Sequence, residues 1–327
     1  MRVLGGLIAA LLVVPALAIT TARSLPGDSL TWVILRACTP LAIVPYALAA
    51  VVLVVTTRGL HGAARSVGVA TVVAVTCLLC LHGWWFARPL LADGPGSPSG
   101  TSVTVMTANL HIGRADPETI VSAVDDADVD VLVLEEITPS ALANLDMAGL
   151  DRLLDQRIGV PRTGRDGIMV FASTPLRQTG ELGTASPGLV AQISTDRGPL
   201  RLLAVHPTAP NNGVARWSAD LDAVVTAARR SSAPTLVAGD FNATLDHPRL
   251  LELMSARFRD ASTDAGLGWR PTWPSPGNVR MATVRIPSLF ALDHVFVRGP
   301  LVVTQAHTRL VAHTDHRALV TRLAWTD

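Results

Sequence analysis

Three long apolar runs come first along the chain. Val3–Thr20, Ala37–Thr56 and Val67–Phe86 contain no Arg, Asp or Glu. Each has about the 20 residues that a helix needs to cross roughly 30 Å of hydrocarbon, so three transmembrane helices are expected over about 3–20, 37–56 and 67–86. Beyond Gly100 the pattern changes to short segments rich in Val, Ile and Leu. Ser102–Ala108, Val129–Leu134, Gly167–Ala172, Leu200–Val205, Thr235–Ala238, Leu292–Val297 and Ala318–Leu323 are predicted strands. Helical spacing of Val214, Trp217, Leu221, Val224, Val225 and Ala228 predicts a helix over 214–230. Asp116–Ala127 opens with Asp-Pro-Glu, a helix start, and Asp246–Met254 is a short third helix. Several strands are followed by strands rather than helices. That predicts an α/β domain of two packed mixed sheets flanked by helices, not a strand-by-strand alternation with helices.

Composition sharpens the division. Only 16% of residues are charged, against about 25% in an average soluble domain. Residues 1–100 hold six Arg and two acids, while residues 101–327 hold 21 Arg and 24 acids, and there is no Lys. The expected layout is a membrane region over 1–88, a Pro/Gly/Ser-rich flexible linker over 89–101 and a catalytic-type domain over 102–327. Arg58 and Arg65 in the loop between the second and third runs mark that loop as cytoplasmic. Trp32, Trp84 and Trp85 would then anchor at the outer interface. The C-terminal domain is accordingly expected outside the cytoplasm, on a multi-pass membrane protein. The first run reads as a retained helix; a leader cleaved near Ala16-Leu17-Ala18 is the alternative. Cys38, Cys77 and Cys80 all lie in the apolar runs, so no disulfide framework is expected beyond them.

Polar residues recur where strands end. Asn109 closes the first strand, Glu135 and Glu136 the second, His206 a later one, and Asp240 and Asn242 the next. Asp293 and His294 lie within a strand, and His313-Thr-Asp-His316 precedes the last. An unpaired buried charge costs roughly 3–5 kcal/mol, so repetition of this arrangement predicts one shared polar pocket at a rim of the sheets. Strand alternation would turn one of Glu135 and Glu136 inward and leave the other in solvent.

These residues and their order resemble the endonuclease/exonuclease/phosphatase superfamily: Asn109, Leu134-Glu-Glu136, His206, Gly239-Asp-Phe-Asn-Ala-Thr244, Asp293-His-Val-Phe-Val297 and Thr314-Asp-His316. The resemblance covers about 102–324 and implies a four-layered α/β sandwich that hydrolyses phosphate esters with Mg²⁺ or Mn²⁺. It implies Glu136 as principal metal ligand, since the family usually has Gln-Glu at 135–136, with Asn109 and Asp315 near the same ion. Hard oxygen donors suit Mg²⁺. Asp240 would orient and deprotonate the attacking water, and Asn242 would hold that water or the phosphate. His316, polarised by Asp293, and His206 would meet the phosphoryl oxygens. Two departures weigh against a nuclease. His111 stands where the nuclease branch usually has an acid, and the only Tyr, Tyr46, is in the membrane part.

Nucleic-acid binding needs basic surface, which a slightly acidic outer domain does not supply overall. Arg162, Arg165, Arg216, Arg270, Arg280 and Arg285 are candidates for local clustering, with solvation as the default reading. The loop from Gly268 to Pro276 carries Trp269 and Trp273, suited to packing or to an apolar or glycan substrate. A membrane-held enzyme always has lipid head groups in reach. The layout also resembles the membrane protein of actinobacterial vancomycin-resistance clusters associated with teicoplanin resistance, which implies phosphate release from an undecaprenyl carrier or a related envelope lipid. The expected partner is a phosphorylated small molecule or lipid; nucleic acid is disfavoured. The alternatives are an extracellular nuclease or phosphodiesterase, and a non-catalytic external module that binds phosphate or glycopeptide.

Overall fold

The computed structural model describes residues 2–87, 91, 98–264, 269–276, 280–281 and 284–326. They fall into two compact units, Met1–Leu91 and Ala92–Asp327.

The first unit contains α1 (Arg2–Ser24), α2 (Leu30–Ala37), α3 (Ile43–Thr57) and α4 (Gly62–Ala87). The stretches Val3–Ser24, Thr39–Thr57 and Gly62–Ala87 are long and apolar enough to cross a membrane. The second span starts slightly later than the sequence pattern implies. Pro40 lacks an N–H and falls in a 3₁₀ turn over Thr39–Ala42, which separates the short helix α2 from α3. Polarity is inverted relative to a water-soluble bundle. Leu11, Val14, Val51, Val55, Val67 and Val73 are exposed, while Thr20, Tyr46 and His82 are buried. Inside, Thr20 Oγ1 lies 2.6 Å from Tyr46 Oη and 2.9 Å from His82 Nε2, and His82 Nδ1 is 3.0 Å from Thr39 O. Arg36 donates to the carbonyls of Ala22, Leu25 and Gly27, satisfying backbone acceptors at and beyond the end of α1. A hydrocarbon solvent favours this arrangement, because it can hydrogen-bond to none of these groups.

The predicted linker 89–101 falls mostly outside the described residues, and its last residues, from Pro98, are already strand. The second unit opens with β1 (Pro98–Asn109), α5 (Pro117–Asp126), β2 (Val131–Glu135), α6 (Pro139–Ala148), α7 (Leu150–Leu153), β3 (Gln156–Val160) and β4 (Ile168–Ala172). β5 (Leu176–Glu181), β6 (Leu189–Thr195), β7 (Gly198–Val205), α8 (Val214–Arg229), β8 (Thr235–Asp240), α9 (Pro248–Ser255), β9 (Arg259–Asp260) and α10 (Ala261–Asp264) follow. After the short pair β10 (Arg280–Met281) and β11 (Val284–Arg285), the chain ends with β12 (Asp293–Arg298), β13 (Leu301–Leu310) and β14 (Arg317–Thr326).

Two mixed sheets result, ordered β13-β14-β1-β2-β4-β3 and β5-β6-β7-β8-β12-β9. Alternation decides what each face touches. Val103, Val105, Val131 and Val133 of the first sheet share a core with Leu200, Leu202, Leu236, Ala238 and Val295 of the second. Met106, Ala108, Leu132 and Leu134 point the other way and pack on Ile120 and Val124 of α5 and Leu145 of α6. α8 covers β7, with Trp217, Leu221 and Val224 buried. The architecture is an α/β sandwich of two packed sheets flanked by helices. The sequence pattern does not predict strands β3, β5, β6 and β13. β5 is largely exposed and polar, so it lacks an alternating apolar face to read.

Register sets up the site. β1 and β2 run parallel with Asn109 opposite Glu135. β7 and β8 run parallel, and antiparallel β12 places Asp293 directly opposite Asp240. Gly239 is required for this. Its φ is +148°, and a Cβ there would lie 1.9 Å from the Val205 carbonyl oxygen. Gly239→Ala is therefore expected to destabilise the protein by about 3 kcal/mol or more, from backbone strain plus overlap. A thermal melt within a degree of the parent would contradict this account.

Candidate active site

All the strand ends named above meet at one rim. β1 and β2 finish there with Asn109 and Glu135, β7 and β8 with Val205 and Asp240, and β12 and β14 begin there. The connecting turns leave ordinary backbone space. His111, Ile112, Glu136, Asn242 and His313 all have positive φ, which costs non-glycine residues and concentrates where surrounding contacts enforce it.

Asp240 is the hub and is 1% exposed. Its Oδ1 accepts from Asn242 N at 2.8 Å and its Oδ2 from Asn109 Nδ2 at 3.0 Å. Across the cleft, His316 Nε2 and His206 Nε2 lie 3.6 and 3.8 Å from Oδ2. Both separations exceed a direct hydrogen bond, so each Nε2 faces Asp240 as a charge neighbour and remains open to another acceptor. Asn242 also donates from Nδ2 to Pro207 O at 3.1 Å, tying the β8 turn to the His206 loop. Burial pushes the Asp240 carboxyl above the usual range, as does Asp293, while His316 and His206 oppose it.

His316 Nδ1 is 2.8 Å from Asp293 Oδ2. Burial alone would pull this imidazole down. The carboxylates of Asp293 and Asp240 outweigh it, and its pKa is pushed up to about 10. His316 is thus an imidazolium at neutral pH, with Nδ1 donating to Asp293 and Nε2 facing Asp240. Thr314 Oγ1 donates to Asn109 O at 2.7 Å and so fastens the Thr314–His316 turn to the end of β1.

Glu136 differs from the strand-alternation expectation. Both Glu135 and Glu136 are buried, because the strand stops at Glu135 and the positive φ of Glu136 turns its side chain back into the cleft. Glu136 Oε2 accepts from Ile112 N at 2.7 Å. Its Oε1 faces His206 Nε2 and Arg165 Nε, both at 3.9 Å. Glu135 lies between the sheets and accepts from Thr107 Oγ1 at 2.7 Å, and its Oε2 has no partner among the described residues. Burial pushes its carboxyl well above the usual range, against the Thr107 hydrogen bond, and Asp293 and Asp240 add to the rise. Burial thus works against a charge on Glu135, and Gln would fill the same space without one. Glu135→Gln is expected to keep both fold and activity. Glu135→Ala, which opens a cavity and strands the Thr107 hydroxyl, should cost about 2 kcal/mol. Circular-dichroism melts of the two variants check this, and equal destabilisation would refute the account of a carboxyl whose charge is disfavoured by burial.

Asp315 adds its charge to those raising the His316 value. Its carboxylate lies 3.5 Å from His111 Nδ1 and 3.3 Å from Trp273 Nε1, at the mouth of the cleft. Trp273 packs on Phe290 with ring centroids 5.9 Å apart. Gly268, which opens the predicted aromatic loop, and the side chains of Arg280 and Arg285 lie outside what is described.

Supporting residues come from outside the motifs, as Thr272 and Asp220 do, and from within one, as His294 does. Thr272 Oγ1 accepts from Leu292 N and Asp293 N. Buried Asp220 on α8 accepts from Thr208 N at 2.9 Å and from Thr208 Oγ1 at 2.8 Å, which fixes the loop after His206. His294 Nδ1 is 2.8 Å from Asp260, while its Nε2 reaches Ala243 O and Ala291 O, behind Asn242 and Asp293.

Asp240, Asp293 and His316 bring one donor atom each within 4.8 Å of one another. Distance alone would admit a cation there. With His316 protonated, as its two carboxylate neighbours favour, the imidazole is a donor, and this trio reads as a hydrogen-bonding group facing the substrate. The hard-oxygen set on the Glu136 side fits a small divalent ion better. Glu136 Oε1 faces its two nitrogen neighbours from beyond hydrogen-bond range. Asn109 adds an amide oxygen, which also accepts from His111 N at 2.8 Å.

The fold and the rim cluster define a class: a two-sheet α/β sandwich with carboxylates, amides and imidazoles gathered where both sheets end. Residues 106–316 match the Endonuclease/Exonuclease/phosphatase family, and the chain belongs to that family. Its members are generally hydrolases of phosphoester bonds, depend on divalent metal, and include nucleases as well as other phosphoesterases. The fold is similar to truncated Caenorhabditis elegans TDP2 (TM-score 0.55, 17% identity, covering 69% of this chain and 98% of that one). It is also similar to Danio rerio TDP2 complexed with a single-strand DNA product (TM-score 0.54, 16% identity, 68% and 99% covered). A conserved Enterococcus faecalis V583 protein of unknown function matches with TM-score 0.52, 17% identity and 68% and 100% covered. Comparison with curated proteins found no match.

Proposed function

We propose that the protein is a divalent-metal-dependent phosphoesterase whose catalytic unit works on the outer side of the membrane, on lipid-linked phosphate or pyrophosphate of the cell envelope. The observation that carries the hydrolytic reading is Asp240. It is a buried carboxylate faced by two imidazole Nε2 atoms at 3.6 and 3.8 Å, so that one acceptor and two donors converge beside the place where a phosphoryl group would be held. Asp240 orients the attacking water and takes its proton, and Asn242 holds the water or a phosphoryl oxygen beside it. His316, kept charged by Asp293, donates from Nε2 to a non-bridging oxygen, and His206 donates to another. Glu136 and Asn109 would hold Mg²⁺ or Mn²⁺, with Asp315 contributing from the mouth. That ion would neutralise the phosphate and the leaving oxygen.

The lipid substrate follows from placement. Three helices suited to a membrane precede the catalytic unit, and Arg58 and Arg65 favour a cytoplasmic loop between the second and third. Residues 101–327 carry 21 Arg against 24 acids, a poor surface for nucleic acid.

The test uses the detergent-solubilised chain with undecaprenyl pyrophosphate, bis-nitrophenyl phosphate and plasmid DNA. Phosphate release from the lipid should stop in EDTA and return with Mg²⁺ or Mn²⁺. Hydrolysis of DNA alone would move the assignment to a nuclease. Turnover unaffected by EDTA would remove the metal from the reading. Protease added to intact spheroplasts should digest the catalytic unit; full protection would reverse the orientation.

A further inference from the structure

Three loops on the Glu136 side of the cleft are knitted together. Ile137 N donates to Gly167 O at 3.2 Å, Arg162 N to Ile137 O at 3.0 Å, and Ile112 N to the Glu136 carboxylate at 2.7 Å. Packing is close enough that a Cβ on Gly167 would lie 1.9 Å from Ile137 O, and one on Gly113 2.3 Å from Thr138 Oγ1. The loop over 161–167 is therefore held against the site, and it carries Arg165.

The Arg165 guanidinium has no part in the chemistry described above. Its side chain is 50% exposed, and Nε lies 3.9 Å from Glu136 Oε1. A half-exposed pair at that distance adds little stability, so folding does not explain its position. The same Glu136 oxygen faces His206 Nε2 at 3.9 Å. Two nitrogen donors thus flank one carboxylate oxygen, the imidazole towards Asp240 and the guanidinium towards the mouth. A phosphoryl group beside Asp240 meets His206 and His316. A second phosphoryl group joined to it, displaced towards the mouth, comes within reach of Arg165. The planar fork of a guanidinium suits phosphate oxygens, which accept two of its N–H groups at once.

We propose that Arg165 forms a second phosphoryl subsite and makes the enzyme select diphosphate groups over monophosphates. The proposal rests on the phosphoesterase reading for its biological meaning, but it is a statement about binding and is tested as one. Calorimetric titration of the full-length chain in detergent, at fixed Mg²⁺, compares inorganic pyrophosphate with orthophosphate. Pyrophosphate should bind about tenfold tighter, the worth of one charge-assisted pair. Arg165→Ala should remove that advantage and leave orthophosphate binding within about threefold, while Arg165→Lys restores part of it. Equal loss for both anions, or no loss for either, overturns the subsite. Farnesyl diphosphate and ADP, titrated in parallel, distinguish a lipid source of the diphosphate from a nucleotide. An Arg165-dependent gain for farnesyl diphosphate supports the lipid, and a gain for ADP alone overturns it. If the binding pattern holds while no phosphoester is hydrolysed, the subsite stands and the enzymatic reading fails.

Discussion

Asp240→Asn is expected to lower kcat for phosphoester hydrolysis by about 1,000-fold, with KM changed far less. The side chain keeps its shape, and the amide oxygen can still accept from Asn242 N, which reaches Asp240 Oδ1 at 2.8 Å. The substitution abolishes the ability to take a proton from water on the side of the carboxylate that faces His206 and His316. Stability should move little by comparison. Burial already disfavours the charge on Asp240, so relief from that burial cost offsets much of the weaker attraction to His316. Steady-state kinetics and a thermal melt on one preparation separate the two effects. A variant retaining more than a tenth of parent activity would take the base role away from Asp240. A variant that simply fails to fold would show in the melt, and Asp240→Glu, which keeps a proton acceptor but moves it, would then test the role: a large loss in kcat is expected there too.

The sandwich and its polar rim were legible because the relevant strands are buried on both faces and end in polar residues. β2, β4 and β8 are apolar throughout their buried lengths apart from terminal acids or a threonine, and such runs stand out in a sequence. Positions after the strand ends were not legible. Whether Glu136 faces water depends on one backbone angle, its φ of +55°, and no side-chain pattern encodes that. Residues that act through another side chain were also invisible. Asp220 sits on a helix and serves a loop through Thr208, and Thr272 accepts from the backbone of Leu292 and Asp293. Each looks like ordinary polar decoration until the chain is folded. His111 shows the converse. The sequence marks it as a departure from the nuclease pattern, and the structure sets it against Asp315, a contact an acid in its place could not make while charged.

His316→Gln should reduce kcat by about 100-fold or more, through loss of a charged donor to the phosphoryl group, and should also change how stability depends on pH. The sign follows from the direction of the shift. An unfolded His titrates near 6.5, whereas His316 in the folded chain titrates at about 10. Between those values the folded state holds a proton that the unfolded state has released. The resulting stabilisation is fully present below about pH 6.5, declines as pH rises, and is gone once pH passes the folded value. His294 is shifted in the same direction, with the Asp260 hydrogen bond and charge overcoming burial, so the parent curve alone would mix two groups. The difference between parent and His316→Gln melts isolates one. That difference should be largest on the acid side and shrink steadily towards alkaline pH. Asp293→Asn gives an independent reading. Asp293 is the largest force raising the His316 value against burial, so its neutralisation should let the imidazole lose its proton at lower pH and shift the alkaline limb of the rate profile downward. A difference curve flat across the range, together with an unmoved alkaline limb in Asp293→Asn, would mean that His316 is not held as a cation, and the phosphoryl contact would have to come from His206 or Arg165 instead.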